Sequence, residues 1–573
     1  MTMVLRCTGL DTGTPSQDTM LRDTPAVQAV YGVISQTPKS MLILQLDEDV
    51  FALIAAALLQ SGNGGPGFRA LLHLSLCCRR LRLLSLPALF SRCSITSVGI
   101  VKDREVPPLA IRPHVRYLTY YLAFYAAQFH ASYAPQAGVD FAMPLRYLPF
   151  VRSVTFTGAS SGVPWEALKL CLSFPQVRSI TFTGSATFVC MPPFPKDAAA
   201  STSRLEELFY PTPLIPSVPF LIDSTTTYHG MCTLVTTCLS TLVLGMKSTA
   251  RSLVLPATTA PLREMAKVDW PALGSLTLKG SFPDDADHLT TESLPSMLRR
   301  MPALEHLVIT AALFHYTTTR CCVLGRNLAS PDVGLNSLER LTIAYPDPND
   351  VVFSIPLPRL TRLDLRDWPR HYDIVAHEYY SRAWRSPILS ATEALFILRR
   401  LRAPGLAVLE LVYFADEADD DVLALIAHAF PKLQYLQLHR YRRSSDEVVD
   451  HQHIARILSA LKSVLVLRLN LDFPGDPGEY KPNVGGSALK QWRRQLSTFG
   501  SEILDTLEPC PALRCIALLY HGEPPSMWVW FYRSPQGARR AYDRAPNRRD
   551  TFAPQYPFAE KRGTGFMRIS RPS

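Results

Sequence analysis

Phe150 to Gly158 reads FVRSVTFTG, and 26 residues later Gln176 to Gly184 reads QVRSITFTG. Self-similarity at an offset of this size marks stacked units rather than an ordinary globular fold. Reduced to its physics the phrase is φ-x-x-φ-x-φ, with φ apolar. It recurs as Val115-Arg-Tyr-Leu-Thr-Tyr120, Leu205-Glu-Glu-Leu-Phe-Tyr210, Leu239-Ser-Thr-Leu-Val-Leu244 and Leu273-Gly-Ser-Leu-Thr-Leu278. It continues as Leu304-Glu-His-Leu-Val-Ile309, Leu338-Glu-Arg-Leu-Thr-Ile343, Leu360-Thr-Arg-Leu-Asp-Leu365 and Leu406-Ala-Val-Leu-Glu-Leu411. Leu433-Gln-Tyr-Leu-Gln-Leu438, Val464-Leu-Val-Leu-Arg-Leu469 and Leu513-Arg-Cys-Ile-Ala-Leu518 close the set. Roughly thirteen copies exceed the three or so that such an array needs to bury its faces.

The last three positions of each copy alternate apolar, polar, apolar, the pattern of a short strand with one buried face. Proline announces many copies, as in Phe174-Pro175, Trp270-Pro271, Met301-Pro302, Leu357-Pro358, Phe430-Pro431 and Cys510-Pro511. It stops the preceding helix and cannot donate to a ladder, so it marks a helix-to-strand junction. Amphipathic runs at Trp165 to Phe174, Leu294 to Met301 and Val422 to Phe430 supply the helices. The unit is therefore helix, proline turn, short strand, and it resembles an irregular leucine-rich repeat. The resemblance implies an α/β solenoid with its strands along one side.

Bulk properties narrow the rest. At 573 residues the chain is longer than one core usually supports. Twelve cysteines show no paired C-x-x-C zinc spacing, and no N-x-S/T acceptor site occurs, which together favour a reducing compartment. No signal-peptide core and no apolar run of membrane-spanning length is present. The expectation is a soluble protein of cytoplasm or nucleus, without a membrane partner. From His521 onward ten Lys/Arg stand against four Asp/Glu, so the tail alone supplies much of the net charge of +10. With no recognition module beside it, this charge reads as a solvated, partly disordered extension rather than a nucleic-acid site.

Leu44 to Cys93 departs from the repeat. Leu46, Val50, Leu53, Ile54, Ala57 and Leu58 make one helical stripe, with Asp47, Glu48 and Asp49 in its first turn. Gly62-Asn-Gly-Gly-Pro66-Gly breaks the chain, and a second helix follows. It carries Leu71, Leu74, Cys78 and Leu81 on one face and Phe68, Leu72, Leu76 and Leu83 on another. About fifty residues bury too little to stand alone, so this segment must lean on the array or on another protein. Leu46-Asp-Glu-Asp-Val50, Leu74-Ser-Leu-Cys-Cys78-Arg-Arg-Leu-Arg82 and Leu86-Pro-Ala-Leu-Phe90 resemble an F-box, with Leu46-Asp47 in place of the usual Leu-Pro and Leu81 in place of the usual Trp. Ser386-Pro-Ile-Leu-Ser-Ala, Phe430-Pro-Lys-Leu through Leu438-His-Arg-Tyr-Arg442 and Leu469-Asn-Leu-Asp-Phe-Pro474 are similar to segments of F-box proteins with irregular leucine-rich repeats of mushroom-forming fungi.

The resemblance implies a substrate-receptor subunit of an SCF-type cullin–RING ubiquitin ligase. Leu46, Val50, Leu53, Ile54, Leu58, Leu71, Leu74, Cys78 and Leu81 would then dock a Skp-family adaptor and, through it, the cullin scaffold. The repeats would hold a target protein. The other reading of the same helices is a plain cap on the array, leaving a non-enzymatic scaffold.

The implied division is 1–40 disordered, 41–95 helical and F-box-like, 96–520 repeat solenoid, and 521–573 basic tail. Polar strand positions facing away from the buried leucines are the candidate target-binding surface: Arg178, Thr181, Glu305, His306, Arg340, Thr342, Arg362, Asp364, Tyr435 and Gln437. His439, Tyr441, Tyr372, Tyr379, Tyr380 and Trp384 add aromatic anchors of the kind that carry interface energy.

Chemistry is sparse. Gly158-Ala-Ser160-Ser-Gly162 matches the G-x-S-x-G elbow, but Pro164 delays the next helix and the strand before it belongs to the repeat. His371, His377 and Glu378 fit no helical metal-ligand pair. Asp416-Glu-Ala-Asp-Asp-Asp421 is explained by charge placement at a helix start. No P-loop, dinucleotide fingerprint or H-E-x-x-H is found, so neither a cofactor nor an enzymatic activity is expected.

Overall fold

A strand that alternates apolar and polar residues buries one face, and a helix that returns behind it and stops at a proline places the next strand parallel to the first. The structure, a computed structural model, repeats that step along the chain. It describes residues 47–59, 66–97, 107–122, 142–157, 163, 165–183, 202–211, 225–281, 293–314, 320–326, 335–372, 384–385, 387–476, 486–521, 527–533 and 540–542. The described residues form two compact units, one within Met1–Pro192 and one within Pro193–Pro546. The segment expected to be disordered, 1–40, and most of the basic tail lie outside the described residues.

The first unit opens with helices α1 (Glu48–Leu59), α2 (Pro66–Cys77) and α3 (Arg79–Leu89). Strands β1 (Arg92–Ser97), β2 (Tyr117–Leu122), β3 (Ser153–Thr157) and β4 (Ser179–Thr183) follow, with α4 (Ala142–Tyr147) before β3 and α5 (Trp165–Ser173) before β4. Each strand pairs in parallel with the next, and the two copies of the opening phrase pair residue for residue, Val154 with Ile180 and Phe156 with Phe182. The apolar positions stack inward. Tyr120, Phe156 and Phe182 form a ring ladder with successive centroids 5.6 Å apart, all buried. α5 closes the layer with Leu168, Cys171 and Leu172, and ends one residue before Phe174-Pro175, where the proline signal placed it.

The second unit runs β5 (Glu207–Phe209), α6 (Thr225–Gly245), β6 (Ser252–Pro256), α7 (Leu262–Met265), β7 (Ser275–Ser281), α8 (Ser293–Leu298), β8 (His306–Phe314), β9 (Arg340–Ala344) and β10 (Arg362–Arg366). After β11 (Trp384–Arg385) and β12 (Leu389–Ser390) come α9 (Ala391–Arg400), β13 (Val408–Phe414), α10 (Asp419–Ala429), β14 (Tyr435–Tyr441), α11 (His451–Leu458) and β15 (Val466–Asn470). α12 (Gly486–Thr506), β16 (Cys515–Tyr520), β17 (Met527–Tyr532) and β18 (Arg540–Tyr542) complete it. β5 to β10 pair in parallel in chain order, β10 pairs with β13, and β13 to β16 continue. β17 and β18 reverse direction and pair antiparallel beyond β16.

Three expectations change. Leu239-Ser-Thr-Leu-Val-Leu244 is not a strand: it lies in α6, where Leu239, Leu242 and Val243 are buried at i, i+3 and i+4. The φ-x-x-φ-x-φ phrase satisfies helical spacing as well as strand alternation, and the preceding apolar and threonine run carries the helix on. The true strand is β6, with Leu253 and Leu255 inward. Second, the parallel strands start at Arg92, inside the segment read as wholly helical. Third, the start of the basic tail supplies β17 and β18.

Local signals account for the helix ends. In α9, Ser390 accepts from the Glu393 N–H and Glu393 accepts from the Ser390 N–H, a reciprocal cap. The acidic run read as helix-end charge does open α10, with Asp419, Asp420 and Asp421 in its first turn. Asp419 also receives Tyr413 Oη at 2.9 Å and Arg440 Nε at 2.7 Å, tying the helix to two neighbouring strands.

Candidate interaction surfaces

The N-terminal helices have their own core. Phe51, Ala55, Leu71, Leu81 and Leu89 are buried together, with Leu58, Leu59, Phe68, Cys78, Leu84, Ala88 and Phe90 packed around them. The sequence stripe is therefore rotated: Phe51 and Ala55 face inward, while Val50 and Leu53 turn outward, Leu53 to 71% exposure. Leu71 and Leu81 were expected to dock a partner, and their burial removes them from any such surface. The expected second helix is two helices, broken at Cys78, whose Sγ accepts from the Leu81 N–H at the start of α3. Ile54, Leu58, Leu74 and Cys78 are half-buried, and Leu46 lies outside the described residues. Leu76 at 65% and Leu83 at 57% exposure join Leu72 in the outward apolar set. Leu72 and Leu76, one turn apart, share a face of α2.

The polar strand face of the second unit is far less open than alternation alone suggests. Register sets Thr342, Asp364, Glu410, Gln437 and Arg468 in one row across five strands. Asp364 is fully buried and accepts from Thr342 Oγ1 at 2.6 Å, Arg362 Nε at 2.8 Å and Arg340 Nη2 at 3.4 Å. Arg370, from the turn after β10, donates to Glu410 at 2.5 Å and to Asp367 at 2.8 Å. Burial opposes the Glu410 charge, but Arg370 and Arg366 outweigh it and hold the carboxyl well below the usual range. Asp367 is depressed in the same way, by Arg370 and by the His371 N–H that donates to it, against burial.

His439 is buried beside these cations. Burial first, then Arg370, lower its pKa to about 3, so it is neutral. Its Nε2 lies 2.8 Å from Gln437 Nε2, Tyr372 stacks on it at 6.2 Å, and Trp528 meets it edge-on at 5.7 Å. Arg468 reaches Tyr435 Oη at 2.7 Å and lies over the Trp528 ring at 3.9 Å. His371 packs against Phe414 and Tyr441.

Asp364, Tyr435 and Gln437, expected at an open target-binding face, are thus interior, as are Thr342, His439 and Tyr441. Alternation says which face a side chain takes. It does not say that Arg370 to Tyr372 and β17 lie over that face. Arg340 and Arg362 are half-buried at the margin, where Glu305 is exposed and His306 half-buried. In the first unit Arg178 is exposed and Thr181 half-buried.

Glu305, His306 and Glu339 bring three ligand atoms within 4.8 Å of one another. Arg359 already pairs with Glu339, and His306 is held below its usual pKa by burial and by Arg340. Positive charge is in place there without a metal ion. Ser160, His377, Glu378, Tyr379 and Tyr380 lie outside the described residues, and Trp384 contributes backbone to β11. Among the described residues no helix is long and apolar enough to cross a membrane.

No protein-family model matches this chain, and no curated protein matches it. Among solved structures it is similar to a chain of the mouse RP105/MD-1 complex, at 11% identity and a TM-score of 0.24 over 68% of this chain and 72% of that one.

Proposed function

We propose that this chain is the substrate receptor of an SCF-type cullin–RING ubiquitin ligase, working in cytoplasm or nucleus. In this reading α1 to α3 are an F-box that docks a Skp-family adaptor, and the parallel strands form a leucine-rich-repeat solenoid that holds a target protein. One observation carries it. The helices bury a complete core and still present Val50, Leu53, Leu72, Leu76 and Leu83 outward, more large apolar surface than a self-sufficient segment of this size has reason to expose. Docking a helical partner removes that surface from water, at roughly 25 cal/mol for each Å² covered.

Co-expression with a Skp-family adaptor tests the reading. Leu53→Asp and Leu76→Asp together abolish copurification while the protein stays folded. A second reading has one feature in its favour: α3 ends at Leu89 and β1 starts at Arg92, so the helices sit where a cap on the first strand would. If the wild type also fails to bind the adaptor, the helices are that cap and the protein is a scaffold.

A further inference from the structure

The described residues 66–97, 107–122 and 142–157 of the first unit hold nine arginines and no Asp or Glu. Positive charge with no carboxylate near it in the chain attracts a polyanion. The second unit differs: its arginines enter ion pairs such as Arg370 with Glu410 and Arg440 with Asp419. In the first unit Arg92, Arg146 and Arg152 are exposed, and among the described residues their side chains make no hydrogen bond or ion pair. Arg92 touches only the ring of Tyr117.

Aromatic rings interleave with this charge. Arg92 lies over Tyr117 at 5.6 Å, Arg112 over Tyr147 at 4.8 Å and Arg116 over Phe150 at 5.0 Å. Tyr117 is 50%, Tyr147 43% and Phe150 50% exposed. The pairs form one strip: Arg92 stands in register with Tyr117, Arg116 precedes Tyr117, and the Arg152 N–H donates to Arg116 O at 2.8 Å. Arg112 opens the 3-10 turn Arg112–His114 that leads into β2, and Arg146 and Tyr147 end α4. Arg112 and Arg116 are committed to the carbonyls of Pro107 and Pro113, so their part is to hold the rings. Unpaired bases stack on aromatic rings and guanidinium planes while cations take the phosphates, and this strip offers both.

We infer that the first unit binds single-stranded nucleic acid, with bases stacked on Tyr117, Tyr147 and Phe150 and phosphates on Arg92, Arg146 and Arg152. A duplex keeps its bases inside and leaves the rings unused. An acidic peptide would use the charge but has no flat partner for a half-exposed Phe150. The inference goes beyond the receptor role proposed above and depends on neither adaptor docking nor target capture.

Fluorescence anisotropy of a labelled oligouridylate of about 12 nucleotides with the full-length protein tests it. The wild type binds. Tyr147→Ala and Phe150→Ala each lower affinity about fivefold or more, the loss expected of one stacked base. Arg92→Gln and Arg152→Gln each weaken binding and flatten the slope of log affinity against log salt by about 0.7, while Arg152→Lys keeps the slope. Leu53→Asp with Leu76→Asp leaves oligonucleotide binding unchanged, so adaptor docking and this site are separate readouts. Thermal unfolding establishes that the variants are folded, and Phe150→Leu, which keeps apolar bulk without a flat ring, stands in for Phe150→Ala if that is not. The basic tail attracts any polyanion, so the ring variants decide: wild-type affinity in both overturns the inference. So does a wild type that fails to bind, tighter binding of a duplex of the same length, or displacement of the oligonucleotide by poly-glutamate or phosphatidylserine vesicles as readily as by unlabelled oligouridylate.

Discussion

Arg370 and Glu410 lie 40 residues apart in the chain and 2.5 Å apart in the fold, both shielded from solvent. Arg370 also holds Asp367, so one guanidinium is shared by two buried carboxylates, with Arg366 3.8 Å from Glu410. Arg370→Met leaves both carboxylates without their main counter-charge. Removing one member of a buried pair costs about 3–5 kcal/mol, so urea unfolding should shift by that much. Adding Glu410→Gln to Arg370→Met should recover part of the loss, and strict additivity of the two single changes would show that the contact carries no coupling.

His439 makes acid destabilising. Its folded pKa of about 3 lies below the ordinary 6.5, so the unfolded chain takes up a proton that the folded chain refuses. The stabilisation is complete above pH 6.5 and drains away as pH falls toward 3. At pH 5 the loss is about 2 kcal/mol, from roughly 1.4 kcal/mol per unit. His521, lowered by burial to about 4, adds in the same direction. Asp350 works the other way: burial lifts its pKa to about 6, so its contribution falls as pH rises from about 4 to 6. Comparing His439→Gln with the wild type at pH 7.5 and pH 5 isolates the histidine, and the variant should lose less on acidification.

Leu71 and Leu53 are both leucines of the N-terminal helices, with opposite environments. Leu71→Ala should cost about 2–5 kcal/mol, since it opens a cavity among Phe51, Ala55 and Leu81. Leu53→Asp, on a side chain facing water, should stay within about 0.5 kcal/mol. Thermal unfolding of a fragment is unnecessary: hydrogen exchange of α1 to α3 in the whole protein reports both.

Gly500 tests packing against propensity. Alanine in place of a mid-helix glycine normally gains about 1 kcal/mol. Here a Cβ on Gly500 would overlap the buried ring of Phe531 on β17. Overpacking costs about 1–3 kcal/mol, so Gly500→Ala should lower the melting temperature rather than raise it.

The repeated strands were legible because alternation marks each one and, at many of them, a second and independent signal agrees. Alternation names the inward residues, Val154 and Phe156 or Leu307 and Ile309, and proline names the junction before them, Pro149 or Pro302. The reading went astray in α6, where Leu239 to Leu244 has no proline before it and its apolar spacing suits a helix as well as a strand. The reciprocal cap at Ser390 and Glu393 was readable from its spacing and went unused. The candidate surfaces were harder. Whether Leu53 or Phe51 points inward depends on where α2 and α3 lie, and whether Gln437 meets solvent depends on Tyr372 and Trp528, distant in sequence. Neither follows from periodicity within one element.

β17 runs against the direction of β16, and β18 turns back against β17. A parallel succession left bare would offer its last backbone groups to any other chain able to add a strand, including another molecule of the same protein. Among the described residues the hairpin ends on β18, three residues long, Arg540–Tyr542, an edge too short to template end-to-end polymerisation. A unit inserted upstream of Cys515 would leave that terminating hairpin in place.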